Sequence, residues 1–126
     1  MPNLFLADMV RELSSSTGTG AFALDGPAPG HRAFAAAAIP GGATFPYAIC
    51  GVSDESQWET GEGTLSPTGQ LLRSPKASSA GGALVNFGAG LKTVALAVGA
   101  DWYAARDSID GHSHAISAIT GLTAEL

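Results

Sequence analysis

The chain has 126 residues, a length that suits one domain by the prior of roughly 100–200 residues each. Charged residues make up 13% of it and glycine 17 positions, against averages of roughly 25% and 7%, which excludes a charged coiled coil, an acidic disordered tail and a collagen repeat. The net charge is −5, and Arg11, Arg32, Arg73, Lys76, Lys92 and Arg106 are scattered, so the basic footprint of a nucleic-acid binder is missing.

The first apolar stretch, Leu4 to Leu13, suits a short helix or a strand, and Ser14 to Gly20 breaks any helix. It lacks the charged start and long apolar centre of a signal peptide. Ala21 to Leu24 is followed by the turn Asp25-Gly26-Pro27. Phe34 to Ile39 is an apolar run closed by Pro40-Gly41-Gly42. Phe45 to Cys50 reads as a strand, with Pro46 at its start or on a sheet edge. Residues 57–74 read as a hairpin around Ser66-Pro67-Thr68-Gly69, and 77–82 as a loop. Ala83 to Phe87 and Lys92 to Val98 are the last strands.

Turn signals recur about every 8–12 residues, as in a sandwich or small barrel. No stretch before residue 100 has the length and period of an amphipathic helix, and no apolar run reaches the roughly 18 residues of a membrane span. The expected fold is all-β, an antiparallel, jelly-roll-like β-sandwich over residues 1–106, followed by a short extended or helical oligomerisation segment over 107–126. The expected core is Phe22, Leu24, Phe34, Ile39, Tyr47, Ile49, Trp58, Leu65, Leu72, Val85, Phe87, Val94, Leu96 and Val98. Cys50 is the only cysteine and reads as a small buried apolar residue.

Near the C-terminus, Ile116, Ile119, Leu122 and Leu126 form a short apolar seam, the last three with 3-then-4 spacing. Two turns cannot stand alone. The seam packs on its own domain or, the preferred reading, on the same segment of neighbouring subunits or on another protein. Trp102 and Tyr103 are the preferred interface anchors; the alternative is that they close the bottom of the sandwich.

The order of motifs then resembles a known family. It runs Leu6-Ala7-Asp8-Met9-Val10-Arg11-Glu12, Thr17-Gly18-Thr19-Gly20, Leu24-Asp25-Gly26 and Gly30-His31-Arg32-Ala33-Phe34. It continues through Pro46-Tyr47-Ala48-Ile49, Trp58 to Thr64, Leu71-Leu72-Arg73, Ala77-Ser78-Ser79 and Val85-Asn86-Phe87. This order resembles a β-rich structural module of tailed-bacteriophage tail-fibre and appendage proteins. Gly111-His112-Ser113-His114-Ala115-Ile116 with Ile119-Thr120-Gly121-Leu122 looks like a linker phrase of phage fibres that joins trimeric segments. Together the two resemblances cover most of the chain; no single motif is specific, and the order carries the likeness. They imply a virion structural protein, made in the host cytoplasm, forming a homotrimer and attaching to tail, baseplate, capsid or fibre proteins. The chain reaches Leu126 without a shaft or receptor-binding tip, which points to an adaptor or capping piece.

Candidate chemistry is sparse. His112 and His114 share one face of an extended strand, and three symmetry-related pairs would offer six imidazoles to a transition-metal ion on a trimer axis. Solvated or inter-subunit histidines are the stronger reading, so the expectation is no cofactor. His31 reads as a loop residue. Glu59 and Glu62 lie three apart, on opposite sides of a regular strand, which disfavours a glycosidase pair. Asp25, Asp54 and Glu55 lack calcium-loop spacing. No catalytic residue is expected, and assembly is the expected function. The alternative is a carbohydrate-binding sandwich module in which Trp58 or Trp102 stacks on host glycan.

Overall fold

The structure is a computed structural model that describes residues 4–100. It is all-β, with strands β1 (Arg11–Ser14), β2 (Phe45–Gly51), β3 (Trp58–Leu65), β4 (Leu71–Leu72), β5 (Pro75–Ser78) and β6 (Lys92–Leu96), and one 3₁₀ turn at Phe34–Ala37. The strands make one antiparallel sheet ordered β1-β6-β2-β3-β4, with β5 also paired to β3. The sheet curls into a half-barrel.

The ladder register divides the sheet into two faces. Glu12, Val94, Ile49, Glu59 and Ser78 lie side by side across β1, β6, β2, β3 and β5, and all five are buried. Because side chains alternate along a strand, the next rows face outward: Leu13, Thr93, Cys50 and Trp58, then Arg11, Ala95, Ala48, Thr60 and Ala77.

The core fills the inner, concave side. Phe22, Phe34, Phe45, Tyr47, Ile49, Leu71, Val85, Phe87 and Val94 are its large buried members. Residues 18–32 cross over this core and hydrogen-bond to both margins of the sheet. Phe22 exchanges bonds with Leu71 at 3.0 and 2.9 Å, and Leu13 N–H donates to the Gly26 carbonyl at 2.9 Å.

Much of the expected layout is present. β2, the 57–74 hairpin and β6 form where the β-branched and aromatic runs place them, and Ser66 N–H donates to the Gln70 carbonyl at 2.8 Å across the Pro67–Gly69 turn. Four expectations fail. Residues 83–87 form no strand: Phe87 bridges Gly18 alone, because the segment turns inward to bury Val85 and Phe87. Part of the expected 77–82 loop is strand β5. Trp58 and Leu72 are exposed at 40% and 43%, since their strands present Glu59 and Leu71 to the core instead. Cys50 is exposed because it shares the outer row with Trp58. The boundary expected at 106/107 lies outside the described residues.

Candidate functional site

Among the described residues, the densest polar cluster is buried on the inner face. Tyr47 and Glu59 both point inward, two residues apart in the β2–β3 ladder, and Arg73 reaches them from the turn after β4. Glu59 is fully buried and the Arg73 side chain is 1% exposed. Glu59 Oε1 accepts from Arg73 Nη2 at 2.6 Å and from Val85 N–H at 2.9 Å. Oε2 accepts from Tyr47 O–H at 2.6 Å and from Arg73 Nε at 3.0 Å. The guanidinium also donates to the carbonyls of Gly18, Gly20 and Val85, and it lies 4.7 and 5.3 Å from the ring centres of Phe22 and Phe87.

All five N–H donors of Arg73 are therefore satisfied, as a buried guanidinium requires. Burial alone would push the Glu59 carboxyl upward; the bonds from Arg73, Tyr47 and Val85 outweigh it and hold the group below its ordinary range. Burial, then the bond to Glu59, drive the Tyr47 hydroxyl far above its usual value. Both Glu59 oxygens are occupied twice and nothing in the cluster reaches water. Its work is to tie β2, β3, the 18–20 loop and the 83–87 segment together.

Two further polar groups serve the same end. Buried Glu12 accepts from Gly26 N–H at 3.0 Å and Phe34 N–H at 2.7 Å, fixing the crossing segment and the 3₁₀ turn. Buried Lys92 donates to the carbonyls of Ser16 and Gly88, and burial lowers its pKa.

The candidate catalytic and metal residues of the sequence do not converge. Glu62 sits opposite Pro46 on the outer face, whereas Glu59 is inside. Asp54 accepts from Ser56 in its own turn, and Asp25 from Ser15 N–H. Among the described residues, no three His, Cys, Asp or Glu side chains gather around one point. His31 lies in a loop, its Nδ1 2.9 Å from the Pro29 carbonyl. Ile116, Ile119, Leu122, Leu126, Trp102, Tyr103, His112 and His114 lie outside the described residues.

Four of the large apolar side chains that the described residues expose lie at the two ends of the strands. Val52 and Leu91, 46% and 40% exposed, are joined by a backbone bond where β2 ends and β6 begins. Leu6 and Met9, 48% and 58% exposed, lie at the opposite end of the strands, ahead of β1. Met9 is held at φ 60°, a left-handed conformation uncommon for a side chain of its size, by the bond from Arg32 N–H to its carbonyl at 2.6 Å. The Arg32 side chain bonds the Asp8 carbonyl twice. The described residues also line open grooves, among them one of about 330 Å³ beside Gly63, Leu72 and Ser74 and one of about 300 Å³ between Leu24, Phe34 and Leu65.

Neither a family model, nor a curated protein, nor a solved structure matches the chain.

Proposed function

We propose that the chain is a structural subunit of a phage-like virion that works by assembly and attachment. The observation that carries this reading is the pair of apolar patches at opposite ends of the strand axis, Leu6–Met9 and Val52–Leu91. Isolated exposed apolar residues are ordinary; a patch at each pole suits a piece held between two neighbours. The order of motifs resembling phage appendage modules supports the same reading, as does a chain that is only 13% charged. Assembly in this reading proceeds by burying apolar surface between neighbours.

In this reading residues 1–106 dock to a tail, baseplate or capsid component as part of a jelly-roll-like sandwich. Residues 107–126 form a homotrimer through Ile116, Ile119, Leu122 and Leu126 and lead to a fibre. No metal or cofactor takes part, and the mature location is the virion. Changing Ile119 and Leu122 together to Asp tests the division of labour. The expected outcome is a folded β-domain that no longer trimerises; a variant that stays trimeric refutes it.

The exposure of Trp58 favours one second reading, a module that stacks host glycan on that ring. Glycan-array binding that disappears in a folded Trp58→Ala chain would establish it in place of the first.

A further inference from the structure

The inner face holds two buried glutamates whose surroundings differ. Glu59 accepts four hydrogen bonds and has the Arg73 guanidinium beside it. Glu12 is 4% exposed. Among the described residues it accepts two bonds, from Gly26 N–H on Oε1 and from Phe34 N–H on Oε2. A carboxylate has about four acceptor positions, so about half of those on Glu12 are used. Among the described residues, Glu59 is the only carboxylate paired with a cation. A buried charge is costly without a counter-charge, and Glu12 has two backbone N–H groups in its place.

Glu12 also lines an open groove of about 300 Å³. The groove lies where β1 comes close to the end of β3 and the turn at Gly69. Its apolar walls are Leu24, Ala33, Phe34, Ala35 and Leu65, and its two charged residues, Glu12 and Asp25, are both acidic. Asp25 is exposed, and its Oδ2 accepts from Ser15 N–H at 3.2 Å. The adjoining basic residues are engaged elsewhere. Arg11 stands on the other face of β1, and the Arg32 guanidinium donates twice to the Asp8 carbonyl. Small-molecule sites are mostly apolar clefts of about 300–1,000 Å³ with a few polar groups, and this groove falls at the small end of that range.

Apolar walls with two carboxylates select a ligand that has an apolar stem and a positive end. An ammonium is a compact charge with three donors, carried in lysine on a four-carbon stem. The stem suits the walls, and the donors suit the remaining acceptor positions of Glu12. An anion would be repelled, and a neutral apolar chain would leave Glu12 without a counter-charge.

We propose that the groove between Leu24, Phe34 and Leu65 is a binding site for an aliphatic ammonium group, which lays its stem along the apolar walls and brings its charge to Glu12. The ammonium belongs to a lysine side chain of a neighbouring protein or to a free aliphatic amine, which share this chemistry. The inference does not depend on the virion reading.

The Gly26 and Phe34 amides report on the site directly, since both donate to Glu12. Titrating the full chain with n-pentylammonium at neutral pH and constant ionic strength should shift both amide resonances saturably. The affinity should exceed that of n-pentanol, which has the stem without the charge, by at least about tenfold, the gain expected of a charge-assisted bond. Nα-acetyl-lysine N-methylamide separates the two sources: affinity at or above that of n-pentylammonium supports a partner's lysine, and weaker saturable binding supports a free amine. Shifts that are absent, do not saturate or are matched by n-pentanol overturn the proposal. In Glu12→Gln, with its β spectrum intact, the affinity for n-pentylammonium should fall about tenfold, to that of n-pentanol; an unchanged affinity overturns the proposal. Should that variant not fold, Ala35→Trp decides. Ala35 is exposed and lines the groove, so an indole there takes up the space while Glu12 keeps its partners. Loss of n-pentylammonium binding in that folded chain supports the proposal, and retained binding overturns it.

Discussion

The two faces of the sheet reverse the usual placement of charge. The inner face buries Glu12, Glu59 and Lys92 and brings in Arg73, each with hydrogen-bond partners. The outer face carries Ala48, Cys50, Thr60, Ala77 and Thr93 and keeps its charge at the margins. The reason is the length of chain without ladder partners. Residues 15–44 and 79–91 pack on the inner face with few regular strands, so their backbone groups need side-chain partners. Buried carboxylates and cations supply them: Glu12 takes Gly26 and Phe34, Glu59 takes Val85, and Arg73 takes Gly18 and Gly20. An apolar core of equal volume would leave those groups unsatisfied, at about 1–3 kcal/mol each.

Breaking the inner face should therefore cost most. Arg73→Met leaves Glu59 buried without its counter-charge, and urea denaturation should show a loss of about 3–5 kcal/mol. Tyr47→Phe removes a hydrogen bond to a charged acceptor and should cost about 1.5–3 kcal/mol; a loss near zero would mean that the ring alone matters. Within β5, the contrast narrows to neighbouring residues. Ser78→Ala removes the Oγ that donates to Ala83 and accepts from Ala80 and Gly82, with an expected loss of about 1 kcal/mol. Ala77→Lys, one position away on the outer face, should stay within about 0.5 kcal/mol.

The same cluster sets the response to pH. Glu59 titrates below its ordinary 4.5 in the folded chain, so its contribution is present above that pH and is lost as pH falls through the folded value. Tyr47 titrates above its ordinary 10.0, so its contribution is present below pH 10 and declines as pH rises beyond it. Thermal melting from acid to alkaline pH should show both losses, and Tyr47→Phe should remove the alkaline one.

Part of this architecture was legible in the sequence. Phe45 to Cys50, the Ser66–Gly69 turn and Lys92 to Leu96 combine strand formers with turn chemistry, and they fold accordingly. The facing of β3 was not legible, because Trp58 beside Glu59 suggests that the aromatic is the buried partner. A one-residue change of register exchanges the faces, and what fixes it lies far along the chain, in Arg73 and Val85. A local signal did exist. Gly61 and Gly63 share the parity of Glu59, and a Cβ on Gly63 would crowd the Tyr47 ring, which marks that parity as the inner one. Leu71 against Leu72 and the inward turn of 83–87 carry no comparable signal, since two adjacent leucines do not say which is inside. For the candidate site, the sequence conveys a surface poor in charge, but not that apolar patches gather at both poles, which depends on where the strands end.

The central claim is that this chain acts by assembling with itself and with its neighbours, and its mass in solution tests that most directly. Sedimentation equilibrium of the full chain across a wide concentration range should give three times 12.6 kDa. A single-chain mass at every concentration would contradict the trimer.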